Sequence, residues 1–332
     1  MPVTRDKWPS VFDAVRAVRP TTPILIFGGH SHIRTCLQFD GRSMSLESGR
    51  YMETIGWMSV DRDERNPDKT KDLTFTRRYL DQNRVTYEFH TGRSNRAFDT
   101  LLARNISAGM NELAQRFDLS FKFGTAPHDF FLTRAPFPSN DSLLSLFIQE
   151  AAPVALAINN SRAGIPNIMI TNSGSERFDV FQGPFTKNDQ FTASPFSDSF
   201  LFIPNVTAGV ANQVFCLLKE MAERNALLEK HAMENLALGY VTKDVTCPGF
   251  GDDVPHTALP FFSIPDFIGS VAPNITDDTP IDLVFVDFIE TQLLGILNSV
   301  SDGQMFTTND VMPYSPILAN QVLRVFAQAA WN

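Results

Sequence analysis

Apolar positions recur at three- and four-residue intervals through residues 9–18, PSVFDAVRAV, and Pro20 and Pro23 close that run before the short apolar stretch ILIF. The spacing predicts a short helix feeding a buried strand that ends at Gly28 and Gly29. From Phe39 to Val60, strand-like segments alternate with Asp-Gly and Ser-Gly turns, so antiparallel strands are expected to continue the same sheet. The charged segment from Asp61 to Asp72 reads as a solvated exit.

A longer helix is predicted between Ser94 and Phe117, interrupted only at Ser107-Ala108-Gly109, and a second domain is expected to begin near it. Further on, the pattern predicts strands at 121–124, 167–171 and 200–203. Helices are predicted at 143–151, 206–229, 283–299 and 316–329, with a Pro- and Gly-rich loop from Cys247 to Pro265. The expected fold class is mixed α/β (α+β), without internal repeats.

With 332 residues there is room for one large domain or two ordinary ones. Hydrophobic residues make up 43% and charged residues 20%, an ordinary globular balance with a bias toward Phe, which occurs 29 times. A net charge of −9 with scattered Lys and Arg argues against a nucleic-acid polymer as partner, because phosphate backbones require clustered cations. No apolar run reaches the roughly 18–20 residues of a membrane span, and MPVTRDKWPS lacks the apolar core of a secretory signal.

Cys36, Cys216 and Cys247 are odd in number and widely spaced, so they fit neither a disulfide framework nor a zinc finger and leave the redox compartment open. Five acceptor triplets, beginning at Asn105, Asn140, Asn159, Asn205 and Asn274, would be glycosylated only in a secretory lumen. Chance also produces such triplets.

The stretch FGGHSH is the first candidate for chemistry. In an extended segment His30 and His32 point the same way, and the two glycines let the backbone pass close to an ion, so each imidazole could serve one of two neighbouring metals. The alternative is a strand-end pair hydrogen-bonded to backbone. A histidine-triad site is excluded, since its third His is replaced by Arg34.

The second candidate is the polar turn Asn172-Ser173-Gly174-Ser175-Glu176-Arg177 after a predicted strand, which offers N–H groups, an amide and a guanidinium to a small anion. Its alternative is a plain connection with Arg177 paired to Glu176 or Asp179. Asp252, Asp253 and His256 invite a metal reading, against which a tight acidic turn before Pro255 is preferred. Arg134 either faces a phosphate or is a surface arginine.

FGGHSH, ESGRYMETIGWMS, NSGSER and SPFSDSF together resemble the 5'-nucleotidase family of metallophosphoesterases, in particular its fungal branch of Ser/Thr phosphatase or 5'-nucleotidase proteins. The resemblance spans essentially the whole chain. It implies the C-terminal part of a calcineurin-like metallophosphoesterase sandwich over residues 1–72, a linker and helix entry over 73–100, and a nucleotide-binding 5'-nucleotidase C-terminal domain over 101–332.

By the same resemblance, His30 and His32 are metal ligands, and Asn172, Arg177 and Phe196 bind the nucleotide, with Phe196 stacking on its base. Phe250 is a weaker counterpart of a second stacking aromatic, because it precedes its turn instead of following it. Ser173, Ser175 and Glu176 depart from the family pattern, and a Glu beside a phosphate-facing Arg would oppose an anion.

The implied function is hydrolysis of nucleoside 5'-phosphates or related phosphomonoesters by water activated at two divalent ions of the Zn, Mn, Mg or Fe type. The family's upstream Asp-x-His, Gly-Asp-x-x-Asp and Gly-Asn-His motifs are not found in this sequence, and Met1-Pro2-Val3 resembles an internal segment, so an N-terminally truncated chain with little activity of its own is expected. A non-catalytic nucleotide or phosphate-ester binding module is the alternative. The resemblance also implies a vacuolar or secreted location.

Overall fold

The structure is a computed structural model that describes residues 8–29, 34–61, 68, 70–94, 97–233, 247–254, 256, 259–301 and 303–332. His30 and His32 lie outside the described residues. The strands are β1 (Ile24–Gly28), β2 (Arg34–Leu37), β3 (Ser43–Ser48), β4 (Thr54–Asp61), β5 (Thr74–Asp81), β6 (Lys122–Ala126), β7 (Asn167–Asn172), β8 (Gly183–Thr186), β9 (Ser199–Thr207), β10 (Gly249–Asp252), β11 (Phe267–Gly269), β12 (Pro280–Val286) and β13 (Met312–Leu318). The helices are α1 (Trp8–Val18), α2 (Arg84–Thr91), α3 (Leu101–Arg116), α4 (Leu143–Ser145), α5 (Ala152–Leu156), α6 (Lys187–Ala193), α7 (Ala208–Met233), α8 (Glu290–Val300) and α9 (Ala319–Ala330).

These elements form two compact units. One comprises Met1–Ile106 with Leu227–Leu259, the other Ser107–Ala226 with Pro260–Asn332. Much of the Pro- and Gly-rich loop therefore groups with the amino-terminal residues.

The first unit holds two three-stranded sheets, ordered β1-β3-β2 and β10-β5-β4. The strands after Phe39 do not continue one sheet as the alternation predicts: β3 pairs parallel with β1, whereas β4 pairs antiparallel with β5. Alternation specifies which face of a strand is apolar but not which partner covers it. Pairing of β5 with β10 depends on Gly249, whose φ is +109 and where a Cβ would collide with the backbone N and O of Arg77. The small core, Met44, Leu46, Phe75 and Tyr79, encloses a disulfide between Cys36 and Cys247 across 211 residues. The odd number and wide spacing of the cysteines leave pairing open, and the chain path decides it by bringing the end regions of β2 and β10 together.

The second unit is built on a five-stranded sheet, β11-β7-β12-β9-β13, and a two-stranded ribbon of β6 and β8. β12 lies between β7, its parallel neighbour, and β9, its antiparallel one. The run IDLVFV is buried along its whole length, as a central strand covered on both faces must be. Residues 283–286 are therefore strand, where a helix from 283 to 299 is expected; a short continuous apolar run does not distinguish the two by period. Likewise Pro316 lies in β13, and the last helix starts at Ala319.

Apolar faces of α7, α8 and α9 and the segment from Leu143 to Leu156 complete one continuous core. Each fully buried Leu, Ile or Phe there contributes about 1.5–3 kcal/mol. Asp282, at 1% exposed, enters this sheet only because Arg162 donates through Nε and Nη2 to its two oxygens at 2.7 Å each.

Candidate functional site

The carboxyl end of β7 delivers Asn172 into a short 3-10 turn, Ser173–Ser175. Carboxyl ends of strands in α/β sheets are where ligands usually sit. The turn is held on three sides. The Ser173 N–H donates to the carbonyl of Asp266 at 2.9 Å, the Ser175 hydroxyl donates to the carbonyl of Asn172 at 2.9 Å, and the Arg177 N–H donates to the carbonyl of Ala193 at 2.7 Å. Asn172 Oδ1 is buried and has no hydrogen-bond partner among the described residues.

The segment after α6 brings Phe196 to the same place. It is fixed against the start of α9: the Asn320 N–H donates to the carbonyl of Phe196 at 3.0 Å, and the Ala319 N–H donates to that of Asp198 at 2.9 Å. Gln190 Nε2, on α6, donates to the carbonyl of Asn320 at 2.6 Å. The Arg177 guanidinium lies over the Phe196 ring, 4.9 Å from its centroid. Phe196 remains 39% exposed, so the pair is an open platform of one flat cation and one aromatic ring.

Arg177 is paired with neither Glu176 nor Asp179 among the described residues. Asp179 instead receives Arg134, from Nη2 at 2.7 Å and Nε at 3.2 Å, while its other oxygen accepts the Leu132 N–H at 2.7 Å. Arg134 also lies 4.2 Å from the Phe131 centroid. The phosphate-facing reading of Arg134 is thus replaced by a structural one, an ion pair bracing the loop.

Glu176 is only 1% exposed, and burial pushes its carboxyl up to about 8. Neither oxygen makes a hydrogen bond of normal geometry among the described residues, and the nearby Ser194 hydroxyl offsets the burial only in part. Burial therefore favours the protonated, neutral form of this side chain, which weakens the opposition to an anion at Arg177 that the bare sequence implies. Nothing in a turn of otherwise small polar residues signals that burial.

Phe250 lies in β10, in the first unit, whereas Asn172, Arg177 and Phe196 belong to the second. The neighbouring acidic residues are committed to ion pairs. Asp252 pairs with the fully buried Arg34, Asp253 with Arg78 at 3.2 Å and His90 at 2.8 Å, and His256 with Asp81 at 2.8 Å. Asp252 ends strand β10, so these acidic residues serve ion pairs with distant partners and not only the tight turn expected of them. Among the described residues no group of three or more His, Cys, Asp or Glu could hold a metal ion.

Residues 129–233 and 219–294 match the family described as NAD nucleotidase, C-terminal domain. A protein of Schizosaccharomyces pombe is 31% identical over 93% of this chain and 55% of its own length. A secreted protein of Arthroderma benhamiae is 27% identical over 99% of this chain and 60% of its own. The crystal structure of 5'-nucleotidase from Candida albicans matches with a TM-score of 0.80 at 28% identity, over 97% of this chain and 61% of that one.

A 5'-nucleotidase precursor from Thermus thermophilus, at a TM-score of 0.52 and 12% identity over 92% of this chain and 56% of that one, shares the fold. The chain spans 55–61% of the length of these relatives. The matched residues include the whole Asn172, Arg177 and Phe196 platform, and the chain belongs to the 5'-nucleotidase family.

Proposed function

We propose that the protein is a phosphoester hydrolase acting on nucleoside 5'-phosphates or related phosphomonoesters, and that the second unit of this chain grips the nucleotide. The observation that carries this reading is Arg177 lying over Phe196 beside the turn at the end of β7. The ring carries the guanidinium at 4.9 Å from its centroid and remains 39% exposed, which leaves surface on which a base could stack, for about 1–3 kcal/mol. The guanidinium keeps a planar fork of donors for ribose or phosphate oxygens, and Asn172 adds an amide at the turn.

Two divalent ions would supply an activated water and stabilise developing charge on the phosphate. His30 and His32 are the side chains of this chain proposed to reach them. Two imidazoles by themselves hold a divalent ion weakly, so activity is expected to depend on what else completes the site. The Arthroderma benhamiae relative being a secreted protein supports a secreted location.

Calorimetric titration with adenosine 5'-monophosphate in excess chelator tests the binding assignment without relying on turnover. Binding is expected to survive the chelator and to weaken about 5- to 150-fold in Phe196→Ala, the equivalent of losing one stacked base. Unchanged affinity in both Phe196→Ala and Arg177→Ala would remove the assignment.

A further inference from the structure

We propose that the second unit carries N-linked glycans at Asn159, Asn205 and Asn274, and that the protein therefore matures in an oxidising secretory lumen. Each residue opens an Asn-x-Ser or Asn-x-Thr triplet: Asn159-Asn-Ser161, Asn205-Val-Thr207 and Asn274-Ile-Thr276.

An acceptor triplet alone carries little, and an exposed Asn is unremarkable because most asparagines are exposed. Two features of the fold add weight. The first is local. Asn159 stands on a turn after α5 with φ of 52, Asn205 has φ of 60 inside β9 where its pairing with β12 is bulged, and Asn274 lies on the bend between β11 and β12. All three are exposed, and none of their side-chain amides is tied into a hydrogen bond among the described residues, so a glycan needs no rearrangement of the core. Exposed apolar side chains stand close by in the chain, Val154 and Ile158 near Asn159 and Val271 near Asn274, and a glycan would cover them.

The second feature is independent of the triplets. Cys36 and Cys247, both buried in the core of the first unit, are joined in a disulfide. Such bonds persist in the secretory lumen and outside the cell, and they are rare in the cytosol. The lumen is also where N-glycans are added, so the thiol chemistry of one unit and the acceptor triplets of the other point to the same compartment.

Asn105 and Asn140 are exposed too, but Asn105 is inside α3, and the hydroxyl residue of the Asn140 triplet, Ser142, is fully buried. Neither is assigned.

The co-reactant is an oligosaccharide linked to a polyprenyl diphosphate. The Asn Nδ2 attacks the anomeric carbon of the terminal sugar, a C–N bond forms, and the sugar–phosphate C–O bond breaks. The polyprenyl diphosphate leaves with the bonding electron pair, and one amide proton passes to a base of the transferase.

The test is peptide mapping of the protein purified from the cells that make it, alkylated without reductant and then treated with peptide N-glycosidase in heavy-oxygen water. The expected result is conversion of Asn159, Asn205 and Asn274 to labelled Asp, a drop in apparent mass on gels, and a linked Cys36–Cys247 peptide. Single Asn159→Gln, Asn205→Gln and Asn274→Gln variants should each remove one step of the mobility shift, a readout that does not require activity. Unlabelled peptides at all three positions would overturn the proposal, whether or not the cysteines are linked, as would labelling confined to Asn105 and Asn140.

Discussion

Asp179 takes its ion pair from Arg134, 45 residues away, and not from Arg177, its neighbour in sequence. That choice leaves the Arg177 guanidinium over Phe196, and it separates a bracing interaction from a recognition interaction within one short loop. Removing the brace should therefore affect stability more than binding. Asp179→Asn is expected to destabilise the second unit by about 1–3 kcal/mol, since a partly buried guanidinium loses its charged acceptor. Urea melts and nucleotide titrations on the same variant check this; a large loss of affinity without loss of stability would mean that Asp179 belongs to the binding site.

Arg177→Lys keeps the charge and loses the planar fork and the stacking on Phe196. Nucleotide affinity is expected to fall about tenfold, the equivalent of ~1.4 kcal/mol. An equilibrium titration that found Lys as good as Arg would reduce the role of Arg177 to a point charge.

Glu176 gives the second unit a pH dependence whose sign follows from burial. Its carboxyl titrates at about 8 in the folded protein against 4.5 when free, so across that window the native state holds a proton that the unfolded chain has lost. The contribution of this residue to stability is most favourable below about 4.5, declines as pH rises toward 8, and is constant above it. Glu176→Gln, which mimics the protonated acid, should match the parent near pH 5 and exceed it at pH 9 in thermal melts. Equal melting temperatures at pH 9 would contradict the buried, neutral assignment.

The Cys36–Cys247 disulfide closes a span of 211 residues, and removing a disulfide from a small core typically costs about 2–5 kcal/mol. The double variant Cys36→Ser, Cys247→Ser should lower the first unit's melting transition and leave the second unit's unchanged. Because two units need not unfold as one, the transitions must be followed by separate probes. A single shift common to both would show that they unfold together.

Much of the candidate site is legible in the residues alone. An apolar run ending in Asn-Ser-Gly-Ser-Glu-Arg predicts a strand delivering polar groups at its carboxyl end, and β7 and its turn occupy those residues. α1 and β1 fall where the local pattern puts them, but β1 is not the buried strand that the apolar run predicts: Leu25 and Phe27 are exposed, because an apolar run does not say how many of its faces are covered. Other features are hidden for definite reasons. The IDLVFV run has no alternation because β12 is covered on both faces, which makes it indistinguishable from the start of a helix.

What the sequence by itself determined is local: which stretches alternate, where glycines and prolines interrupt them, and which side chains offer an amide, a guanidinium or an aromatic face. Tertiary structure decided every pairing between distant residues: Cys36 with Cys247, Arg134 with Asp179, Arg162 with Asp282, and Arg177 over Phe196. It also decided that the Glu176 carboxyl is raised, because burial depends on what packs around a side chain. Periodicity reports the face a residue presents; the partner waiting on that face is set by the path of the whole chain.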